Sequence, residues 1–338
     1  MSTPITPSPF IDTAAVEAWD AWFRWREPGQ LHDLTVDTTW DRVASALAGV
    51  ESAGCRVRMR REFLDALSSW QLLLDERILA GAGTPSIQWR GGDPVAVLNV
   101  AAFVRAPWTR QASIDLTAIE DIAMTAVRAL DNATLLGGQG LASGRLRIGV
   151  VGLGDALRLV GKDYSSSAAL AEAERIAHAL SCGVTEGSIA LARERGPRFT
   201  CEREWLSRAS SRCLPQYLIA DAAQVGLRHT ALTAISSQPK LALFANGVSD
   251  ALEPSPNGPV AHVIDEGETQ RIVHSAGYAQ SVAMRLDKPY EVAGQPDAIS
   301  RQAIYEAVRP WMDEGMLDFA ISTTGPVSAP ARAMRPVS

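Results

Sequence analysis

Beyond a glycine- and proline-rich stretch from Gly81 to Pro94, apolar β-branched runs alternate with amphipathic ones. That alternation restricts the chain to an α/β architecture. Val95–Val104 reads as a buried strand. Thr117-Ala118-Ile119-Glu120 has capping-box spacing, and the helix it opens buries Ile119, Ile122, Ala123, Ala126, Val127 and Leu130. Arg147–Val151 reads as a second strand, running into a helix that holds Ala156, Leu157 and Val160. The alanine-rich run Ala168–Arg195 predicts a helix broken near Gly183 and Gly187 and stopped at Gly196-Pro197. Further strands are expected at Lys240–Phe244 and Val260–Ile264. Further helices are expected at Arg301–Val308 and Trp311–Ala320, divided by Pro310.

The part before the glycine-rich stretch is helical. Trp40, Val43, Ala44, Leu47 and Val50 form one apolar stripe, with Thr38 and Asp41 spaced as a cap pair. Phe63, Ala66, Leu67, Trp70 and Leu74 repeat the pattern. Trp19, Trp22, Phe23 and Trp25 could form a binding surface, but three of the four share a helical face, which favours core packing. The chain therefore divides into a disordered lead at 1–12, a helical segment at 13–84, a linker at 85–94, an α/β body at 95–330 and a tail at 331–338.

Composition excludes several classes. With 46% hydrophobic and 21% charged residues the chain is ordinary globular material, and a net charge of −6 supplies no basic field for nucleic acid. No run of about 18 apolar residues exists to span a membrane. The polar, proline-rich Met1–Pro9 does not read as a signal peptide. Four cysteines, Cys55, Cys182, Cys201 and Cys213, lack CxxC spacing and fit a reducing compartment, so a cytoplasmic location is expected. Five histidines show no metal-ligand spacing.

Several separated blocks carry a resemblance. They are Ala18–Trp25, Thr39–Ala44, Arg77–Thr84, Val127–Asn132, Arg147–Leu157, Ala192–Pro197, Asn246–Pro254 and Asp318–Thr324. In this order they resemble the adenosylcobalamin-dependent (class II) ribonucleotide reductases. The resemblance implies a helical N-terminal segment followed by part of a ten-stranded α/β barrel, mainly its second half. A barrel short of strands has open edges, so self-association, or association with a complete reductase, is expected.

The resemblance also marks what is missing. Between Thr84 and about Asp93 the family carries a few hundred residues, including its first reducing cysteine and its radical cysteine. In Val97-Leu98-Asn99-Val100-Ala101 this chain has Leu98 where the family has its second reducing cysteine. Ribonucleotide reduction requires a thiyl radical, a carboxylate base and a dithiol held around one sugar, so no catalytic residue is assigned and no cofactor is expected. Adenosylcobalamin is implied by the resemblance alone. The phosphate turn of the family is replaced by Ser237-Gln238-Pro239-Lys240, where proline removes a donor. By resemblance, Asn99, Ser237, Lys240, Asn246, Gly247 and Glu253 remain as substrate- or phosphate-binding candidates.

Three functions compete on this reading. The first is a reductase-like protein that no longer reduces ribonucleotides and acts as a scaffold or partner. The second is a ribonucleoside-diphosphate reductase with a rearranged or shared site. The third is a nucleotide-binding module on Gly149-Val150-Val151-Gly152-Leu153-Gly154, although these glycines have the wrong order for a dinucleotide turn and would equally serve strand–helix packing. Among the smaller signals, Arg228-His229 could touch an anion or be structural. Cys182 reads as a buried apolar residue, Cys201 and Cys213 as a possible redox pair, and Asp265–Glu268 as a solvated loop.

Overall fold

The computed structural model describes residues 9–85, 93–138, 144–266, 269–290 and 294–317. Most of the expected lead, most of the linker, the tail, the Asp318–Thr324 block, and Gly267 and Glu268 of the acidic loop lie outside the described residues.

The N-terminal part folds as helices α1 (Thr13–Trp22), α2 (Val36–Ala48) and α3 (Ala53–Ser68), then strand β1 (Leu72–Leu74) and helix α4 (Glu76–Gly81). Helix α2 buries the expected stripe of Trp40, Val43, Ala44 and Leu47. Its cap lies one turn earlier than Thr38-Asp41: Thr35 is the N-cap, and Thr35 and Thr38 satisfy each other's backbone in a capping box. The early aromatics are docked. Trp19 and Phe23 are buried, Phe23 and Phe244 have ring centroids 4.8 Å apart, and Trp25 stacks on His32 at 3.8 Å.

Next come β2 (Val95–Asn99), α5 (Leu116–Leu136), β3 (Arg145–Val151), α6 (Leu153–Leu159), α7 (Ser167–Arg195), α8 (Arg203–Ser211), α9 (Gln216–Val225) and β4 (Ala231–Ser236). They are followed by α10 (Pro239–Phe244), β5 (Val260–Glu266), β6 (Thr269–Ser275), α11 (Tyr278–Arg285), α12 (Ala298–Val308) and β7 (Glu314–Leu317). Five strands form one sheet in the order β7-β4-β3-β2-β1. The first four run parallel, whereas β1 pairs antiparallel with β2, Leu72 opposite Leu98. The α/β expectation is met. Among the described residues this sheet is open, not closed into a barrel. Across the stretch read as a linker, β1 and β2 share the sheet and one core joins Trp40 and Leu74 to Val97 and Ile148.

Four expectations about elements are corrected. Val95–Val104 is a strand only to Asn99, after which Val100–Phe103 tightens into a 3₁₀ turn. Lys240–Phe244 is helical, because Pro239 at the first helical position presets the helix and four of its side chains are buried. Residues 311–317 are not helical: Trp311 ends a 3₁₀ turn and Glu314–Leu317 pairs with β4. Helix α7 is unbroken through Gly183 and Gly187, since these residues allow α5 to approach closely. A Cβ on Gly183 would lie 2.8 Å from that of Ala123 and press on the Glu120 backbone. The cap of α5 also differs. Asp115, not Thr117, accepts from Ala118 N. Val260–Ile264 is a strand, extended to Glu266, but it pairs with β6 in a separate hairpin.

No helix among the described residues is long and apolar enough to cross a membrane.

Candidate functional site

Parallel strands carry their ligands outside their carboxyl ends, where side chains from neighbouring loops converge. Here β2 ends at Asn99 and β3 at Val151, which are paired in register. Gly152, in the left-handed conformation, turns β3 into α6 and donates its N–H to Ser249 O at 2.7 Å. A Cβ at Gly152 would lie 2.6 Å from Asn99 Oδ1. Asn99 is 1% exposed, and among the described residues neither its Oδ1 nor its Nδ2 has a hydrogen-bond partner; the buried Ser249 Oγ also lacks one there. The three atoms without a partner among the described residues thus belong to the two residues, Asn99 and Ser249, that meet Gly152 at the mouth of the sheet. Such groups are costly to leave unmade.

Beside them Asp155 pins the loop that follows α10. Its Oδ2 accepts Ser249 N at 2.6 Å; its Oδ1 accepts Ser255 Oγ at 2.7 Å and Ala279 N at 3.2 Å. Burial pushes this carboxyl above its usual range, against the pull of those donors. In the sequence Asp155 falls within the resembling block Arg147–Leu157, with no role implied for it. An acidic residue inside a short apolar helix was the available signal.

The other candidates are engaged by the chain itself. Ser237 Oγ donates to Asp250, which also accepts Gln238 N at 2.6 Å. Lys240 Nζ pairs with Glu76 at 2.9 Å and lies 5.4 Å above the Trp22 ring. Asn246, at φ 66°, accepts Ile11 N on Oδ1 at 2.7 Å. Gly247, at φ 70°, receives Tyr278 N at its carbonyl, and Ser275 Oγ fills the space its Cβ would need. Glu253 pairs with Arg301 at 2.7 Å, and burial raises its carboxyl. The structure therefore brings Asn99 to the Gly152 turn, and ties Asn246 and Gly247 to the N-terminal segment and to β6 and α11.

The glycine run is closed to a pyrophosphate. A Cβ on Gly154 would lie 2.5 Å from Glu253 O, so the loop Glu253–Ser255 occupies the approach that a dinucleotide turn would leave open. Arg228 and His229 are structural. Arg228 Nε reaches Asp131 Oδ1 at 3.2 Å, and His229, fully buried, holds Ser188 Oγ at 3.0 Å on Nδ1. The four thiols are free. Burial pushes Cys182 up to about 12 and Cys201 up to about 11, and both belong to the cluster of Trp205 and Leu214. Among the described residues no group of His, Cys, Asp and Glu is arranged to hold a metal.

The family model for the ribonucleotide reductase barrel domain matches residues 94–282, over half of the chain. A search of the curated proteins found no match.

Proposed function

The chain belongs to the family of the ribonucleotide reductase barrel domain, and from that premise we propose that it is a reductase-like protein that does not itself reduce ribonucleotides. It acts in this reading as a scaffold or partner of a complete reductase, with its open sheet standing for the second half of a barrel. One observation carries the reading: Leu98, an aliphatic side chain, occupies the buried strand position beside Asn99, where the resemblance implies a reducing cysteine. The intramolecular bonds of Ser237, Lys240, Asn246 and Glu253 support it. Adenosylcobalamin, which class II chemistry would use, generates a radical on a thiol next to substrate. The residues around Gly152 do not fit that role.

A second reading is favoured by the Asn99 carboxamide and the Ser249 hydroxyl, which have no partner among the described residues. In it a second polypeptide supplies the missing thiols and completes a shared reductase site at this mouth.

The test is an anaerobic reductase assay on the purified chain with adenosylcobalamin, a dithiol, each ribonucleotide and an allosteric nucleotide. No deoxynucleotide and no cob(II)alamin absorbance are expected. Turnover above a cofactor-only blank would overturn the first reading. Turnover appearing only when a reductase chain that keeps its thiols but is inactivated elsewhere in its own site is added would establish the second.

A further inference from the structure

A cleft of about 790 Å³ opens on the far side of the Gly152–Gly154 turn, walled by the end of α6, the loop before α7, the Pro254–Asn257 loop and the N-terminus of α12. Its volume suits a small organic ligand, for which clefts of roughly 300–1,000 Å³ are usual. Two aromatic side chains, Trp108 and Tyr290, line it. The Trp108 backbone, at φ 54°, donates its N–H to Leu159 O at 2.8 Å. Tyr290 donates its hydroxyl to Pro256 O at 3.2 Å, and the Arg158 guanidinium lies 4.3 Å over its ring. Arg158 is steadied in turn by Asn257 Oδ1 at 3.1 Å. The Tyr290 ring, held at its hydroxyl and by Arg158, is ordered before a ligand arrives, which lowers the entropic cost of binding.

The charges narrow the ligand. Lys162, the other cation of the cleft, is held by Glu172 at 2.5 Å. Asp163 and Asp297 each receive one backbone N–H on Oδ1, from Ser165 at 2.7 Å and Ser300 at 2.8 Å. Each carboxylate keeps a second oxygen outside those bonds. A carboxylate accepts from hydroxyl and amino groups and repels phosphate.

We propose that this cleft binds a nucleoside, a planar heteroaromatic base stacked on Tyr290 or Trp108 with its sugar hydroxyls donating to Asp163 or Asp297, and discriminates against the phosphorylated forms. The proposal stands or falls independently of reductase activity.

Calorimetry on the full chain tests it, with adenosine, cytidine, their 5′-triphosphates and free ribose as probes. A nucleoside binds, its triphosphate binds at least about tenfold more weakly, and Tyr290→Ala and Asp297→Asn each weaken the nucleoside by about tenfold. Asparagine also caps helices, so Asp297→Asn keeps α12 folded and preserves the test if Tyr290→Ala does not fold. The proposal is overturned if neither nucleoside binds at millimolar concentration, if the triphosphates bind as tightly or more tightly, or if the folded variants bind like the wild type.

Discussion

Arg195, at the end of α7, bonds Asp131 of α5 at 2.5 Å while its other terminal nitrogen reaches Glu51 at 2.9 Å. Asp131 also takes Arg228 at 3.2 Å, and Glu51 takes Arg128 at 3.0 Å and Asn132 at 2.8 Å. Both carboxylates are almost fully buried. Burial alone would raise the Asp131 carboxyl, but His229, Arg195 and Arg228 outweigh it and hold it well below the usual carboxylate range. Removing one partner from such a network strands the others without water. Asp131→Ala is therefore expected to cost ~3–5 kcal/mol in urea unfolding. A cost below about 1 kcal/mol, the range of exposed pairs, would mean that solvent reaches the cluster.

The same cluster sets an acid limit. Burial, aided by Arg228 and Arg198 and opposed by Asp131, pushes His229 below its usual range. The unfolded chain then takes up this proton first as pH falls below about 6.5, so stability is lost on acidification. Asp131 acts in the same direction lower down, as pH falls below about 4. Asp155, which is raised, has the opposite sign: its contribution is fully present below about 4 and is lost as pH rises through its folded value. Comparing wild type with His229→Gln isolates the histidine. The difference in unfolding free energy should change between pH 7 and pH 5, and a constant difference would refute the assignment.

How much of this was legible in sequence depends on distance along the chain. The α2 stripe and the β2 and β3 strands follow from local periodicity, and the structure keeps them. Lys240–Phe244 is too short for periodicity to separate strand from helix, and the signal that decides it is Pro239. The blocks Val127–Asn132 and Ala192–Pro197 stood out as a resemblance, yet their shared role could not be read. Arg195 meets Asp131 64 residues away and Glu51 144 residues away. Asn99 was marked only by its neighbour Leu98. Its carboxamide, without a partner among the described residues, lies against the Gly152 turn, 53 residues further along the chain.

Helices α5 and α7 approach through Gly183, where an added methyl would press on the Glu120 backbone. Gly183→Ala gains ~1 kcal/mol in helix propensity. Overpacking against a rigid backbone costs ~1–3 kcal/mol and should win. Gly187→Ala meets its nearest neighbours at 3.1–3.2 Å and should be milder. Thermal unfolding of the two variants checks the order. A Gly183→Ala protein more stable than wild type would show that the helices can separate.

Thiol reactivity should follow burial. Cys213 is exposed, whereas burial pushes Cys182 up to about 12 and Cys201 up to about 11. At pH 8 a thiol-specific disulfide reagent is expected to modify Cys213 far ahead of Cys182 and Cys201, because the thiolate is the nucleophile. Mass spectrometry of the labelled peptides reads the order. Early labelling of Cys182 would show that the cluster around Trp205 and Leu214 opens readily.

Asn246 offers the sharpest separation between a binding residue and a structural one. Its backbone is left-handed, at φ 66°, and its Oδ1 accepts Ile11 N, tying the N-terminal segment to the loop after α10. Alanine would suffer both losses, ~1–2 kcal/mol for the left-handed backbone and ~1 kcal/mol for the bond. Glycine accepts the backbone and loses only the bond. Asn246→Ala should therefore melt lowest, Asn246→Gly between it and wild type. A side chain reserved for an external ligand would instead let Asn246→Gly melt with wild type, because no internal bond would be lost.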